Sequence, residues 1–348
     1  MLEPVDYAHD SPTTGGLGRL RTTGSSVFLK LVQAPRHWKR WPTLPPAARE
    51  ALTLVSSRWR QEADLYESDL GAALPVGMRL PTVHGVVDLG DDRVLLVLED
   101  VDADPSPWDP ARFASAARLL GRLQARMTDR GPFISAPQEP CELLQQLFRS
   151  RLVPVTLPAL TAEATWRHPL LAAERPLRGD IAELARRLPA LIEAATRLPQ
   201  LQAHGDTTPH NLLVPRDRPD TFVVIDWAMA NLGPVGDDLG QMLIGLAHDG
   251  VLDVAGLATL HHLLVAEYTA GLADEGHHVG EDLVLAGMNT GLAVRSAFTA
   301  LPVERLGEPI DDELAEHLQQ RLALTRYLVD LALDTVAPVP HVLSGSGG

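Results

Sequence analysis

The sequence contains almost no cysteine and no long apolar run. Its single cysteine, Cys141, excludes an intrachain disulfide and fits a reducing compartment. No apolar stretch approaches the ~20 residues that a membrane span requires. The first residues have neither the basic region nor the apolar core of a signal peptide. These absences predict a cytoplasmic protein with no membrane partner.

Basic residues are scarce relative to acidic ones. The 348 residues include 30 Lys and Arg against 45 Asp and Glu, which gives a formal net charge of −15. A nucleic acid partner is not expected, because a phosphate backbone requires clustered basic side chains. The charge is compatible with a cationic substrate in an acidic cleft, and equally with an acidic surface that maintains solubility. The oligomeric state is left open.

The character of the sequence changes near residue 101. Before it, strand-like segments at 27–32, 82–89 and 93–98 accompany one long helical pattern at 47–70. Beyond it, Ala- and Leu-rich helical patterns cover 111–129, 141–150, 178–197, 238–249, 253–273, 281–300 and 311–335. We therefore predict a small lobe over 1–101, a large lobe over 102–337 and a disordered tail over 338–348.

Two short segments of the predicted large lobe indicate the chemistry. The first is His-Gly-Asp-Thr-Thr-Pro-His-Asn, which places Asp206 and Asn211 five residues apart on a polar loop. The second is a strand-like run that ends at Asp226, and the turn-rich residues 216–220 between them predict a tight hairpin. A carboxylate that takes a proton from a substrate hydroxyl must lie beside the metal that carries the phosphates of ATP. A loop followed by a strand-end aspartate supplies that geometry.

The pattern H-G-D-x-x-x-x-N followed by I-D-W resembles that of the aminoglycoside phosphotransferase and choline kinase-like family, distant relatives of the protein kinases. The resemblance implies an α+β, two-lobed protein-kinase-like fold: a small β-rich lobe with one long helix, and a larger, mostly helical lobe. It implies ATP as the phosphoryl donor, Asp206 as the catalytic base, and Asn211 and Asp226 as ligands of Mg²⁺. Gly205 stands where protein kinases have an arginine that pairs with a phosphorylated activation loop, which favours a small-molecule kinase.

Lys30 lies in the middle of an apolar strand, an unusual position for a lysine unless its charge is used. By the resemblance it contacts the α- and β-phosphates of ATP; the alternative is a lysine that faces solvent. Its expected partner is Glu62, which shares the inward face of the following helix, because an unpaired buried charge is costly. Glu50 and Glu67 are the competing acids.

The other nucleotide contacts are less defined by the sequence. Two Gly-rich segments precede the lysine strand, and the second suits a turn over the phosphates in which Ser25 and Ser26 bind. A Gly-rich segment alone is more often simply a turn. The adenine is expected against the backbone that connects the two lobes, which assigns Glu99 and Val101 to the nucleotide. ATP and GTP are not distinguished.

Three further residues lie near the proposed base. By the resemblance, His204 packs under the catalytic loop and Asp238 braces that loop from below. Asp238 also has the position of an N-cap for the helical pattern that follows it. His210 lies within the loop, where it either touches the substrate or faces solvent.

The sequence gives opposing indications about the substrate. Relatives that phosphorylate aminoglycosides use acids near the C-terminus to bind ammonium groups, and this chain has an acidic cluster there. The cluster contains Glu304, Glu308, Asp311, Asp312 and Glu313. It is alternatively a solvated loop or a helix N-terminus. Arg295, in an otherwise apolar helix, favours an anionic substrate group instead.

The sequence therefore predicts an ATP-dependent kinase that phosphorylates a hydroxyl of a small molecule. The first hypothesis is an antibiotic acceptor, as in a resistance or self-protection enzyme. The alternative is a metabolite kinase that acts on an amino alcohol, a sugar or a similar compound. A third hypothesis, a catalytically idle kinase-fold binding module, conflicts with the intact set of Lys30, Asp206, Asn211 and Asp226.

Overall fold

The first hundred residues are organised around an antiparallel sheet. The computed structural model describes residues 1–5, 11–131, 133 and 139–335. Its N-terminal strands are β1 (Leu2–Pro4), β2 (Thr14–Thr22), β3 (Ser25–Gln33), β4 (Met78–Arg79), β5 (Val83–Gly90) and β6 (Arg93–Glu99). All but β4 join one sheet in the order β1-β2-β3-β6-β5, so that β3 is paired on both edges.

Alternation along β3 places Lys30 on the buried side of this sheet. Lys30 and Val32 are 7% and 3% exposed, and Lys30 lies opposite the fully buried Leu96 of β6. Side chains on a strand alternate between the two faces, so the lysine shares the core face with apolar neighbours. The Gly-rich residues 15–18 of the preceding segment are not a loop, because they pair with β3 as part of β2.

The long helix predicted at 47–70 is interrupted. The structure has α1 (Pro46–Val55) and α2 (Gln61–Glu67), separated by turns. The spacing of apolar residues continues across the break between α1 and α2, so this spacing did not predict the break. The start of α2 is fixed by contacts with distant parts of the chain: the side-chain amide of Gln61 donates to the carbonyl of Ala230 at 2.6 Å. Tertiary contacts of this kind override helical periodicity.

The remaining chain is mostly helical. Its helices are α3 (Pro110–Arg130), α4 (Glu142–Leu147), α5 (Leu157–Thr161), α6 (Leu177–Ala195), α7 (Asp237–His248), α8 (Leu257–Asp274), α9 (Glu281–Arg295) and α10 (Asp312–Asp334). A π-helical segment, Phe148–Thr156, connects α4 to α5. Each helical pattern predicted beyond residue 101 corresponds to a helix. The ends of most of these helices differ from the predicted limits by a few residues.

Short strands position the loops that carry the candidate site. They are β7 (Gln200–Ala203), β8 (Leu212–Leu213), β9 (Phe222–Val224) and β10 (Asn231–Pro234). Strands β8 and β9 form the predicted antiparallel hairpin, β7 pairs with β10, and β4 adds parallel to β9. Val223 and Val224 of β9 are fully buried, so the strand end at Asp226 is anchored in the core.

The predicted boundary near residue 101 coincides with the end of β6, but the lobe limits stay a prediction. The predicted tail, 338–348, lies outside the described residues. Among the helices that the structure describes, none combines the length and the apolar character of a membrane span.

Candidate active site

The loop between β7 and β8 carries Asp206 and is held from both sides. The ring of His204 accepts a hydrogen bond from the Asp206 amide at Nδ1 (3.2 Å) and donates from Nε2 to the carbonyl of Ile225 (2.9 Å). The same ring packs against Trp227, with centroids 4.5 Å apart. His204 is 1% exposed. It therefore ties the loop to the segment that carries Asp226, in the position expected of a packing residue.

Asp238 holds the loop from the opposite side. Its carboxylate accepts from the backbone amides of His204 (2.9 Å) and Gly205 (2.7 Å), and from the side-chain amide of Gln124. Asp238 is not the N-cap of α7, because Gly236 takes that position and Asp238 lies in the first helical turn. Its buried charge is instead satisfied by the loop amides, as a bracing residue requires.

Asp206 and Asn211 contact each other directly. The Asn211 amide donates to the Asp206 carbonyl (2.7 Å) and to its carboxylate Oδ2 (3.1 Å). On the other side, Arg295 Nη2 lies 3.9 Å from Asp206 Oδ1. Burial raises the pKa of Asp206, the Arg295 charge opposes this shift, and the charge of Asp226 adds to it. A carboxylate with a raised pKa is better matched to accepting a proton.

Lys30 lies between two carboxylates. Its Nζ is 2.7 Å from Glu62 Oε2 and 2.9 Å from Asp226 Oδ1, and Glu62 is 1% exposed. Burial alone would lower the pKa of Lys30, but the two carboxylates outweigh burial and raise it above its ordinary value. The lysine is therefore a fixed cation. Glu50 and Glu67, the competing acids, do not take this position; Glu67 pairs with Arg60 at 2.8 Å.

Asp226 follows β9 in a left-handed backbone conformation, with φ at 59°. This conformation is unfavourable for residues other than glycine and is concentrated at functional sites. Burial acts to raise the pKa of Asp226, but the charge and hydrogen bond of Lys30 prevail and hold it below its usual range. Asp226 therefore remains ionised beside the lysine.

A cavity of ≈ 270 Å³ lies against this ion-paired group, between β2, β3 and the end of β6. Lys30, Glu62, Asn211 and Asp226 all line it, as do Glu99 and Val101. The Glu99 side chain is held by Arg79 through two contacts of 2.6 and 2.7 Å, which lower its pKa to about 2. The Glu99 carboxylate is therefore engaged within the protein, and its backbone amide donates to the Thr82 carbonyl at 2.8 Å.

Ser25 and Ser26 are the first residues of β3, directly after the turn from β2, and they do not line this cavity. The Ser25 hydroxyl is 2.6 Å from that of Thr22, and the Ser26 hydroxyl donates to Asp100 at 2.8 Å. Their hydroxyls are thus engaged within the protein. The β2 residues Leu17 and Arg19 line the cavity instead.

A second cavity, of ≈ 710 Å³, is reached from Asp206 through Arg295, whose Nη2 lies 3.9 Å from Asp206 Oδ1. Arg295 and Glu304 of the predicted substrate residues line it. Asp311 does not, because its carboxylate caps α10 by accepting from the Leu314 amide at 2.8 Å. Asp312, in the first turn of α10, is exposed and does not line it either. His210 is exposed, and its Nε2 lies 2.6 Å from the carboxylate of Asp249.

Sequence reasoning missed three contributors to this arrangement. Asp100 accepts from both Ser26 and Arg19 and so fixes the β2–β3 turn. Gln124 of α3 reaches Asp238 from a helix distant in sequence, and no local signal marks it. Asp237 lies 3.9 Å from Arg295, and its position beside Asp238 was the one available signal.

The donor set suits a metal that is shared with a phosphate ligand. Asn211 and Asp226 line the same cavity and supply one amide and one carboxylate oxygen. Among the described residues, no group of three or more His, Cys, Asp or Glu is arranged to hold a metal unaided. Mg²⁺ bound by one or two protein oxygens, with substrate phosphates and waters completing its shell, fits this arrangement.

Comparison with known proteins defines the class of this protein. Residues 60–273, more than half of the chain, match the sequence model of the phosphotransferase enzyme family (APH). The chain belongs to this family and is a small-molecule kinase. None of the curated proteins matches its sequence. Lys30 lies outside the matched residues, so its place in the site comes from the structure.

Solved structures share the fold at low identity. An aminopropanol kinase associated with a microcompartment is 15% identical over 97% of this chain and 94% of that chain, with a TM-score of 0.54. A spectinomycin phosphotransferase solved with ADP and spectinomycin is 12% identical over 97% and 93%, with a TM-score of 0.53. An aminoglycoside phosphotransferase from Alicyclobacillus acidocaldarius subsp. acidocaldarius DSM 446 is 16% identical over 91% and 92%, with a TM-score of 0.51. The kinase-like fold predicted from the sequence is confirmed.

Proposed function

We propose that the protein transfers the γ-phosphoryl group of ATP to a hydroxyl of a small molecule, with Asp206 as the base. One observation carries this proposal. Asp206 is joined to the smaller cavity by its contact with Asn211, and to the larger cavity by its proximity to Arg295. A base between a nucleotide cavity and an acceptor cavity is what direct transfer between two bound substrates requires.

The proposed reaction is an in-line displacement. The acceptor oxygen forms a bond to the γ-phosphorus while the bond from that phosphorus to the bridging oxygen of ADP breaks, and ADP leaves. The hydroxyl proton passes to the Asp206 carboxylate. Because the transition state is loose, the main contribution of Asp206 is to align the hydroxyl, and proton transfer comes late.

The smaller cavity is the proposed nucleotide site. Lys30, fixed by Glu62, neutralises the α- and β-phosphates, and the backbone at Glu99 and Val101 meets the adenine. Asn211 and Asp226 would hold Mg²⁺, which neutralises phosphate charge when it is bound. The spectinomycin phosphotransferase of similar fold was solved with ADP, which supports a nucleotide as a ligand of this fold.

The acceptor is an antibiotic or a metabolite. Both kinds occur among proteins of this fold, one being a spectinomycin phosphotransferase and another an aminopropanol kinase. Two of the five members of the acidic cluster that favoured a polycationic antibiotic are engaged elsewhere, because Glu308 pairs with Arg305 at 2.8 Å and Asp311 caps a helix. Of the cluster, only Glu304 lines the larger cavity. The side chains that line the larger cavity must therefore determine whether an antibiotic or a metabolite binds as the acceptor.

The test is ATP turnover with Mg²⁺ against a panel of hydroxylated antibiotics and metabolites, with mass spectrometry of each product. We expect one acceptor to gain the mass of one phosphate. Asp206→Asn should lower kcat by about 10²–10⁴-fold and leave Mg·ATP binding unchanged. Asp217→Asn, an exposed residue of the β8–β9 turn, is the control and should retain full activity. Full turnover by Asp206→Asn would show that another group is the base.

A further inference from the structure

The larger cavity has a charge opposite to that of the protein. The chain has 45 acidic and 30 basic side chains, yet this cavity is lined by four arginines and only two carboxylates. The arginines are Arg151, Arg295, Arg305 and Arg321, and the carboxylates are Asp249 and Glu304. A cavity lined mainly by one sign of charge concentrates ligands of the opposite sign.

Two of these arginines have protein partners. Arg305 forms an ion pair with Glu308 at 2.8 Å. Arg321 is buried and donates to the carbonyl of Ala300 at 2.5 Å and to the carbonyl of His248. Burial lowers the pKa of Arg321 to about 10, which still leaves it charged at neutral pH. These two arginines contribute positive potential rather than free donors.

Arg295 has only long ion pairs and no hydrogen-bond acceptor for its Nη1. Its side chain is 9% exposed, and it donates no hydrogen bond to any residue that the structure describes. The nearest carboxylates, those of Asp206 and Asp237, are both at 3.9 Å, and its buried Nη1 has no acceptor. A buried guanidinium with unmade hydrogen bonds is costly, and an oxyanion is the ligand that satisfies its planar donors.

Arg151 supplies a second cation, on the π-helical segment. Its side chain is exposed and forms no ion pair with the described part of the chain. One of the two acids of the cavity is already engaged, because Asp249 contacts His210 at 2.6 Å, which leaves Glu304 as the other. The pKa of His317 at the same cavity is lowered by burial and by the charges of Arg305 and Arg321, which agrees with the excess of arginines in its lining.

We propose that the acceptor is a hydroxylated compound that carries an oxyanion, a carboxylate or a phosphate, held by Arg295 and Arg151. This inference rests on the proposed kinase function. Because Arg295 Nη2 lies 3.9 Å from the proposed base, the oxyanion lies within a few bonds of the hydroxyl that is phosphorylated. The aliphatic side chains of Met229, Ile244 and Val294 line the cavity as well and accommodate a carbon skeleton.

The direct test is anion binding in the nucleotide-loaded protein. With Mg·AMP-PNP saturating, so that the nucleotide site is filled, inorganic phosphate is titrated by calorimetry. We expect phosphate to bind the wild type and to bind Arg295→Gln and Arg151→Gln at least tenfold more weakly, since each loses a charge-assisted contact. Arg149→Gln, an exposed arginine of the same segment that does not line the cavity, is the matched control and should bind as the wild type does.

The outcomes separate the two proposals. Equal phosphate affinity in the wild type, Arg151→Gln and Arg295→Gln overturns the anionic acceptor, as does no phosphate binding at all. Failure of Mg·AMP-PNP to bind overturns the proposed function instead. Arg151 is exposed, so its variant tests the inference even where Arg295→Gln folds poorly.

Turnover with matched acceptors gives an independent test. Pantothenate and pantothenol, or gluconate and glucose, differ in the acid group, while 1-amino-2-propanol and choline carry a cation. We expect an acid to be phosphorylated with a kcat/KM about 10- to 100-fold above that of its uncharged partner, with the preference lost in Arg295→Gln. A cationic or neutral acceptor that is turned over at least tenfold better than every acid overturns the inference and leaves the kinase function intact.

Discussion

Replacing either of two adjacent aspartates at the start of α7 by asparagine is predicted to change the stability of the protein, in opposite directions. Asp237 is 2% exposed, and neither of its carboxylate oxygens accepts a hydrogen bond within the described structure. Asp238 is fully buried too, but it accepts from two loop amides and from Gln124. Asp237 is thus a buried carboxylate without hydrogen bonds, whereas Asp238 is a buried carboxylate whose charge is stabilised by hydrogen bonds. Replacing each by asparagine therefore separates the two situations at neighbouring positions.

The magnitude for Asp237 follows from its pKa. Burial raises that pKa from 3.8 to about 6, with Arg295 opposing the shift and Asp238 adding to it. An acid with a raised pKa in the folded state binds its proton more tightly there than in the unfolded state. Its stability contribution is thus present below pH ~4 and is lost as the pH rises to about 6. About two pKa units correspond to roughly 3 kcal/mol.

We expect Asp237→Asn to be more stable than the wild type at pH 7.5 by up to about 3 kcal/mol, because the neutral amide avoids this penalty. That free energy corresponds to a Tm increase of about 4 °C for a chain of this size. The advantage should fall steadily between pH 6 and pH 4. Asp238→Asn should instead be destabilised by about 1–3 kcal/mol at pH 7.5, since its charged acceptor is lost.

Urea and thermal unfolding at pH 4.5, 6 and 7.5 measure both variants against the wild type. A lower Tm for Asp237→Asn at pH 7.5 would refute the reasoning. It would mean that the pairing of Asp237 with Arg295 stabilises the fold by more than burial of the carboxylate costs. That result would also count against the inference that the guanidinium of Arg295 is available to bind an anionic ligand.

Three further predictions concern the site. Glu62→Gln should raise KM for ATP about tenfold in initial-rate assays, because Lys30 loses one of its two carboxylate partners. Glu67→Gln on the same helix should leave KM unchanged. Gly205→Ala should abolish activity and lower Tm, since φ of Gly205 is +84° and the added Cβ would lie 2.0 Å from a backbone carbonyl oxygen. Gly24 is the control, because its φ is +92° but the space around it is open. Gly24→Ala should lower the free energy of unfolding by only about 1 kcal/mol and should retain activity. kcat/KM should fall on the acid side as Asp206 becomes protonated, at a pH above 3.8, the ordinary pKa of an aspartate. A kcat/KM that stays constant down to pH 3.8 would contradict a raised pKa of Asp206.

Much of the fold was readable from the sequence because local patterns carry it. Alternation predicted the strands around Lys30, and periodicity predicted the helices beyond residue 101 within a few residues. The break between α1 and α2 was not readable, since the apolar spacing runs through it and a distant carbonyl, that of Ala230, fixes where α2 begins. Local patterns specify elements, and tertiary contacts specify their limits.

The sequence by itself predicted the chemistry of the site. The pattern of Asp206, Asn211 and Asp226 indicates a kinase-like arrangement through its resemblance to a known family. The charge of Lys30 in an apolar strand indicates a partner, because an unpaired buried charge is costly. Only the tertiary structure decided which partners those charges have and what the acceptor cavity offers. Arginines from separate elements meet there, and the free donors of Arg295 depend on distances that no local pattern encodes. The electrostatic character of a cavity depends on which side chains folding brings together, so the proposed preference for an anionic acceptor rests on the tertiary structure.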